Sequence, residues 1–302
     1  MPHPGRELIP RKVVMRTSTK SIVHAAQDGG YAVGAFNIFD GLTLRAVVRA
    51  AGEKRSPAIV QVSARTAKAL GPRFLARMFE ELAAGSDVPL SLHLDHCPDL
   101  ELTRAVIDAG WSSVLFDASH LDLAEAAEQT TQVVSWAHPN GVDVESEIEN
   151  IVGVEDGVGS DVLAHSYSDE ELVRVARETG VDLLAPHLGT AHGQYKLPPV
   201  LLPQRVSHLR RLTDLPIVLH GGTGLKPEEF RSFISAGVSK INVSTAVKHA
   251  YLDAMEESLG SAREAGRREP LPILGEVERR VADTVASFLE LFGSAGRAGG
   301  ER

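Results

Sequence analysis

Strand-like segments alternate with helical segments along almost the whole chain, and this alternation limits its fold more than any other feature. Eight short runs, bounded by Gly, Pro or Asp, have the aliphatic and β-branched content of buried strands. They are Tyr31–Asn37, Ala58–Ser63, Leu90–Asp95, Ser113–Ala118, Val142–Glu147, Leu183–Leu188, Ile217–His220 and Lys240–Ser244. Eight strands separated by helices in 302 residues predict an α/β fold, a (β/α)8 TIM barrel.

Helical patterns fill the intervals between these strands, and two more follow the last one. The predicted helices are Leu42–Lys54, Pro72–Ala84, Leu100–Ala109, Leu123–His138, Asp169–Thr179, Leu201–Leu212, Pro227–Ser235, Ala246–Leu259 and Glu276–Phe292. A doubly wound open sheet is the alternative. It is disfavoured because no Gly-x-Gly-x-x-Gly turn follows the first strand, and polar residues stand at nearly every strand end rather than at one switch point.

Composition narrows the class of protein and its compartment. We predict one barrel domain over residues 15–293, a flexible extension at 1–14 and a flexible tail at 294–302. The net charge of −9 argues against nucleic acid or an anionic membrane as a partner. The single cysteine, Cys97, excludes an internal disulfide and fits a reducing compartment. Because the first residues lack the apolar core of a signal peptide, we expect a cytoplasmic protein.

Three histidines occupy equivalent places at strand ends. His96 and His192 follow the third and sixth predicted strands, and His220 is the last residue of the seventh. In a barrel the carboxyl ends of the strands meet at one rim, so these side chains are expected to lie together. Three imidazoles with an open position are the ligand set of a catalytic Zn²⁺, although Co²⁺ or Mn²⁺ stay open. Asp95, beside His96, is then placed to carry a proton.

Two turns near the end of the barrel have the features of a phosphate site. Glycines follow His220, and Thr223 adds a hydroxyl group, while Asn242 to Thr245 lead into a helix. In this fold the loops after the seventh and eighth strands commonly hold phosphate through backbone N–H groups. A metal, a carboxylate and an anchored phosphate together predict carbanion chemistry on a small phosphorylated ketone, with the metal polarising its carbonyl.

At these segments the chain resembles the class II, metal-dependent fructose-bisphosphate and tagatose-bisphosphate aldolases. The resemblance runs from about Thr17 to Phe292. The matching segments are Gly34–Asn37, His93–His96, Ser113–Ser119, Val144–Glu147, Gly153–Gly157, Gly189–Gly193 and His220–Gly224.

The resemblance implies a role for each matching residue. His96, His192 and His220 would bind one zinc ion per chain, Asp95 would exchange the proton of the sugar C4 oxygen, and Glu155 that of the donor carbon. The residues matched to substrate binding, with dihydroxyacetone phosphate as the bound donor, are Asn37, Ser63, Gly193, Gly221, Gly222, Thr223, Asn242, Val243, Ser244 and Thr245. Asp117 and Glu147 match the ligands of a second, divalent or monovalent cation, or else make polar contacts at the strand ends. The resemblance also implies a homodimer or homotetramer.

Several positions depart from the pattern of these aldolases. Glu149 stands where they usually have Gly, and Ser244 stands where they have Asp, Asn or Ala. Their C-terminal Pro-Arg-Lys-Tyr segment, whose Arg contacts the second phosphate, corresponds here to residues 269–272, with Arg267 and Arg268 close by. The half of the site that binds the donor is therefore predicted to be intact, and the half that binds the acceptor is predicted to be altered. The sequence does not identify the acceptor aldehyde.

Two other functions stay open from the residues alone. The first is a zinc hydrolase on the same barrel, although such sites commonly begin with His-x-His on the first strand, which residues 34–40 lack. The second is a non-catalytic protein that binds phosphorylated sugars. Since Asp95 and all three histidines are present, the sequence favours a lyase acting on a ketose phosphate.

Overall fold

The barrel is formed by eight parallel strands, and a separate hairpin lies between the fifth and sixth of them. The computed structural model describes residues 17–155, 158–160, 165–191 and 199–299. Its strands are β1 Val33–Asn37, β2 Ala58–Ser63, β3 Leu90–Cys97, β4 Ser113–Asp117, β5 Asp143–Glu147, β6 Gly153–Glu155, β7 Val158–Ser160, β8 Leu183–Leu184, β9 Ile217–Leu219 and β10 Val238–Val243. The strand order β1-β10-β9-β8-β5-β4-β3-β2 closes on itself, and β6 pairs with β7 alone. The prediction of a (β/α)8 barrel is confirmed.

Helices surround the barrel, and the nine predicted ones are present with ends that differ by a few residues. The helices are α1 Thr19–Gly29, α2 Gly41–Glu53, α3 Ala64–Leu70, α4 Pro72–Ala83, α5 Leu100–Asp108, α6 Leu123–Ala137, α7 Asp169–Thr179, α8 Pro203–Leu212, α9 Pro227–Ala236, α10 Thr245–Glu264 and α11 Pro270–Leu291. Two helices, α1 and α3, were not predicted from the sequence. The second has only seven residues, too few for a helical period to stand out.

The α1 helix closes the amino-terminal mouth of the barrel. Its buried residues Ile22, Val23 and Ala26 join barrel residues in a small apolar cluster. Above them Thr19 hydrogen-bonds to Ser113, and Ser113 hydrogen-bonds to His93 Nδ1 at 2.7 Å. Polar side chains therefore extend through the interior from this mouth towards the opposite rim.

The predicted tail differs from the structure over the part that is described. Ser294 is fully buried against Ser56, and the N–H groups of Gly296 and Ala298 donate to the carbonyls of Lys54 and Arg55. Residues 294–298 are thus packed against the chain after α2 instead of forming a flexible tail. The predicted extension 1–14 and residues 300–302 lie outside the described residues. Within the described part of the chain, no helix combines the length and apolar character of a membrane span.

Candidate active site

The end of β3 is shaped to bring Asp95 and His96 into the barrel rim side by side. The pairing of β3 with β4 shifts register between Leu94 and Cys97, so the chain bulges at Asp95 and His96. His96 has φ of 39°, in the left-handed region that non-glycine residues seldom adopt. This local strain is a feature found at functional sites, where the surrounding structure sustains it.

His96, Glu147 and His220 form one compact group of possible metal ligands. Each offers a ligand atom, and these atoms lie within 4.8 Å of one another. The Nδ1 atom of His220 is 3.0 Å from Glu147 Oε2, and the two imidazole rings stand edge to face with centroids 4.7 Å apart. Glu147, predicted with Asp117 for a second cation, therefore lies with the two histidines. Imidazole nitrogens with a carboxylate oxygen are a ligand set that suits zinc.

A second layer of carboxylates orients the two imidazole rings. His96 Nδ1 lies 3.1 Å from Asp117 Oδ2, and His220 Nε2 lies 2.8 Å from Glu145 Oε1. Such carboxylate contacts set the ring orientation and tautomer of metal-binding histidines. The other nitrogen of each ring faces a further carboxylate. His96 Nε2 faces Asp95, and His220 Nδ1 faces Glu147.

The carboxylates make this centre favourable for positive charge. Burial lowers the pKa of His96, but Glu147, Asp95 and Asp117 outweigh it and hold that pKa well above its usual range. Burial also opposes a charge on His220, whose hydrogen bonds to Glu145 and Glu147 nevertheless raise its pKa. The contact with His96 in turn overcomes burial and lowers the pKa of Asp117 to about 2. An environment that stabilises imidazolium without a metal also suits a divalent cation.

A line of hydrogen bonds holds Asp95 in place. Asn37 Nδ2 donates to Asp95 Oδ2 at 2.8 Å, and Asn242 Nδ2 approaches Asp95 Oδ1 at 3.4 Å. Gln61 donates to Asn37, and Lys240 donates to Asn242, each at 2.8 Å. The carboxylate is only 3% exposed, so these amides replace the water that would otherwise fix its orientation.

Lys240 links this line to the metal-ligand group. Its ammonium lies 2.8 Å from Glu145 Oε2, and both side chains are fully buried. A buried ion pair of this kind is sustained only when further hydrogen bonds satisfy both charges. Here Asn242 and His220 supply them. Burial, aided by the nearby Lys240 charge, lowers the pKa of His93 well below its usual range, so His93 is a neutral packing partner.

The turn after β9 places glycine where no other residue fits. Gly221 has φ of +65°, and a Cβ there would lie 2.5 Å from the Ala191 carbonyl oxygen. The backbone after β8 therefore passes directly against the turn that contains Gly222 and Thr223. On the other side Asn242 and Val243 end β10, Ser244 follows, and α10 begins at Thr245. The predicted phosphate-binding residues 221–223 and 242–245 thus lie at the carboxyl ends of two adjacent strands, β9 and β10.

Three of the predicted site residues lie wholly or partly outside the part of the chain that the structure describes. His192 and Gly193 lie outside the described residues, and Glu155 is described only as backbone in β6. Ala191, the residue before His192, pairs with Val152 and packs against Gly221, next to His220. Ser63, which ends β2, lies in register with Asp95 and accepts a hydrogen bond from Thr66 N at the start of α3.

A buried ion pair connects the loops around this rim. Glu149 follows β5 and is fully buried. It accepts hydrogen bonds from both terminal nitrogens of Arg205 on α8, at 2.8 and 3.1 Å. Glu149 also accepts from the N–H groups of Tyr167 and His187, and Arg205 donates to the carbonyls of the same two residues. The Arg205 guanidinium also donates from Nε to Asp169 Oδ1 at 2.7 Å. This Glu149–Arg205 tie joins the chain after β5, the start of α7 and the chain after β8.

Sequence reasoning missed the residues that support the site from within the strands. Gln61 and Lys240 lie in the middle of β2 and β10, and both are completely buried. A lysine inside an otherwise apolar strand is itself a signal, because lysine is almost never buried without a partner. The Glu149–Arg205 tie had no comparable signal, since its members are 56 residues apart.

Comparisons with known proteins agree on one family. Residues 17–297 match the family model described as "Fructose-bisphosphate aldolase class-II". A fructose-bisphosphate aldolase of Geobacillus stearothermophilus is 40% identical over 93% of this chain and 98% of its own length. The solved structure of the YdjI aldolase from Escherichia coli K12 shares 26% identity, with a TM-score of 0.81, over 94% of this chain and 99% of its own. A structure solved as a candidate fructose-1,6-biphosphate aldolase of Coccidioides immitis, 28% identical, has a TM-score of 0.85 over 93% and 98% of the two chains.

Proposed function

Because this chain belongs to the class II fructose-bisphosphate aldolase family, we propose that it catalyses the reversible aldol cleavage of a ketose phosphate, with dihydroxyacetone phosphate as the donor. The observation that carries the proposal is the convergence of His96, Glu147 and His220 beside Asp95 at the carboxyl ends of the strands. A general acid or base beside a divalent metal site is what aldol chemistry needs.

The metal would be held by His96 and His220, with His192 as the third ligand, and zinc is the ion we propose. Glu147 would contact it or neutralise part of its charge, since Glu147 Oε2 is 3.0 Å from His220 Nδ1. When bound, a divalent ion supplies a Lewis acid that polarises the substrate carbonyl and stabilises developing negative charge. The fit rests on the donor set itself, two imidazoles and a carboxylate in one group. A second cation at Asp117 and Glu147 stays a prediction.

Asp95 would move the proton that accompanies cleavage. In the cleavage direction its carboxylate takes the proton of the C4 hydroxyl, C4 becomes the aldehyde carbon, and the C3–C4 bonding pair stays on C3. Glu155 would return a proton to C3, which completes dihydroxyacetone phosphate. Asn37 and Asn242 keep the Asp95 carboxylate aimed at one point, because each amide donates to a different oxygen.

The donor phosphate would bind at the turns after β9 and β10. Gly221 allows the backbone to turn sharply, so the N–H groups of Gly221, Gly222 and Thr223 can approach an anion. On the neighbouring strand the start of α10 at Thr245 adds the positive end of a 20-residue helix. Gly193 would contribute from the adjacent loop.

The test is an assay of the purified protein with and without a chelator. The proposal predicts that a ketose bisphosphate is cleaved to dihydroxyacetone phosphate, that chelation abolishes cleavage, and that zinc restores it. His220→Ala should lose bound metal together with turnover, whereas His138→Ala, outside the rim, should lose neither. Ligand-induced thermal stabilisation without product would instead identify a binding protein. Metal-dependent hydrolysis without dihydroxyacetone phosphate would identify a hydrolase.

A further inference from the structure

Two segments of the chain leave the carboxyl rim of the barrel and return to it, and each contains a residue of the proposed mechanism. The first, residues 151–164, contains Glu155 and is called here the 150s segment. The second, residues 189–201, contains His192 and is called the 190s segment. The residues that flank the two segments are described, and their contacts define how each segment is anchored.

Hydrogen bonds join the two ends of each segment. At the 150s segment, Asn150 Oδ1 accepts from the N–H of His165 at 3.1 Å. At the 190s segment, the N–H of Leu202 donates to the Leu188 carbonyl at 3.0 Å. A segment whose ends meet in this way is held at one point of the barrel, so its placement depends on the contacts at that point.

The Glu149–Arg205 tie lies at both of these points. Glu149 accepts from the N–H of Tyr167, just after the 150s segment, and from the N–H of His187, just before the 190s segment, each at 2.9 Å. Arg205 donates to the carbonyls of the same two residues, at 3.1 and 2.8 Å. One buried ion pair therefore fixes all four chain ends of two segments that are well separated in sequence.

The two segments also contact each other beside the metal-ligand group. Val152 and Ala191 form a parallel β-bridge. Ala191 immediately precedes His192, and its carbonyl packs against Gly221, the residue after His220. A shift of the chain ends at the tie would therefore be passed from one segment to the other and to the third proposed metal ligand.

The chemistry of the pair suits a positioning role. The Arg205 guanidinium donates from all three of its nitrogens to carboxylates, Nε to Asp169 and both terminal nitrogens to Glu149, so its orientation is fixed. Charge-assisted hydrogen bonds of this two-pronged kind add geometric specificity as well as energy. The class II aldolases usually have Gly where Glu149 stands, and a glycine could not form the pair.

We propose that the Glu149–Arg205 tie is a positioning pair, which holds the 150s and 190s segments in one fixed relation so that Glu155 reaches the donor carbon and His192 reaches the metal. This inference rests on the proposed aldolase function. It assigns to the tie a role in metal binding and proton exchange in addition to its contribution to stability.

The experiment separates positioning from stability with three variants of the full chain. Glu149→Gln/Arg205→Met removes the ion pair without leaving a buried charge, and Arg205→Lys keeps the positive charge but not the planar fork. Leu289→Ala is the control, because it destabilises the core far from the rim. Leu289 is completely buried near the end of α11, where the Phe292 carbonyl accepts from the N–H of Ala32, just before β1. All variants are compared at a temperature at which circular dichroism finds each of them folded.

Two readouts report the two segments separately. The zinc dissociation constant, from competition with a fluorescent chelator, reports the contribution of His192. The exchange of the donor-carbon hydrogen of dihydroxyacetone phosphate with D2O, followed by NMR at saturating zinc, reports the contribution of Glu155. This exchange needs no acceptor aldehyde, so the identity of the acceptor does not affect it.

The double variant should lose about tenfold to a hundredfold in both zinc affinity and exchange rate, the range found when groups that orient metal ligands are removed. Arg205→Lys should lose less, and Leu289→Ala should keep both values. Wild-type zinc affinity and exchange in the folded double variant would overturn the inference, as would equal losses in Leu289→Ala. Loss of only one property would also overturn it, because the tie would then position one segment alone. If the wild type neither exchanges the donor hydrogen nor cleaves a ketose phosphate, the proposed function fails, and the zinc comparison still tests the tie.

Discussion

Replacement of Arg205 by methionine should destabilise the folded protein far more than the loss of an ordinary surface arginine. The side chain of Arg205 is 14% exposed, and that of its partner Glu149 is 0% exposed. Arg205→Met keeps most of the apolar stem but removes the guanidinium N–H groups that donate to Glu149, to Asp169 and to the carbonyls of Tyr167 and His187. The Glu149 carboxylate would then remain buried with only two backbone N–H donors.

The size of the effect follows from that unpaired charge. Removing one partner of a buried ion pair costs about 3–5 kcal/mol, because the remaining charge loses its compensation. This free energy corresponds to a factor of about 10² to 10⁴ in the folding equilibrium. With a urea m-value of about 3 kcal/mol/M, the midpoint of unfolding should fall by about 1–1.7 M. The ordinary pKa of Arg205 is raised further by Glu149 and Asp169, which outweigh its burial, so the guanidinium is charged at every accessible pH.

Urea unfolding followed by circular dichroism measures this loss, with Arg174→Met as the control. Arg174 pairs with Glu178 on the exposed face of α7, where each side chain is more than half exposed, and such pairs contribute less than about 1 kcal/mol. The double variant Glu149→Gln/Arg205→Met should be less destabilised than the sum of the two single variants, because the buried charge is gone. Equal midpoints for Arg205→Met and Arg174→Met would show that the tie does not stabilise the fold.

Three further predictions concern single groups. Asp95→Ala should lower kcat by about 10²–10⁴-fold while the zinc content per chain stays the same, and a nearly active variant would remove Asp95 from the mechanism. Cys97 is completely buried and burial raises its pKa, so a thiol reagent should label it only after unfolding in urea; rapid labelling of the native protein would contradict this. Burial raises the pKa of Asp143 above 3.8, so its stabilising contribution is complete below that pH and is lost as the pH rises through the raised pKa. Asp143→Asn should therefore gain stability relative to the wild type as the pH rises above 3.8 in paired unfolding measurements, and a pH-independent difference would refute the assignment.

The barrel could be predicted from the sequence because its signals are local. Each strand is a short apolar run with a turn residue at its end, and helices such as α7 begin with a clear capping residue, Ser168. The positions of Asp95, His96 and His220 at the strand ends could be predicted for the same reason, since these residues end or directly follow apolar segments. Because the carboxyl ends of all the barrel strands lie at one rim, His96 and His220 can meet there although three strands separate β3 from β9.

What the sequence could not predict depends on distances between remote residues. Nothing local indicates that Glu147 lies with His96 and His220, or that Lys240 pairs with Glu145. The packing of residues 294–298 could not be predicted either. Glycine and alanine at the end of a chain suggest fraying, and the hydrogen bonds of this segment go to residues more than 200 positions away. The α3 helix is set by Ser63 as its N-cap, a residue first noticed for its place near the substrate.

The left-handed backbone at His96 bears on any attempt to rebuild this centre in another scaffold. Copying side-chain identities onto a regular barrel strand would direct residues 95 and 96 to opposite faces, since neighbours on a strand alternate. Here the slip in strand pairing between Leu94 and Cys97 lets both point into one rim. A designer would have to transplant that irregular peptide geometry first, and only afterwards the imidazole and the carboxylate.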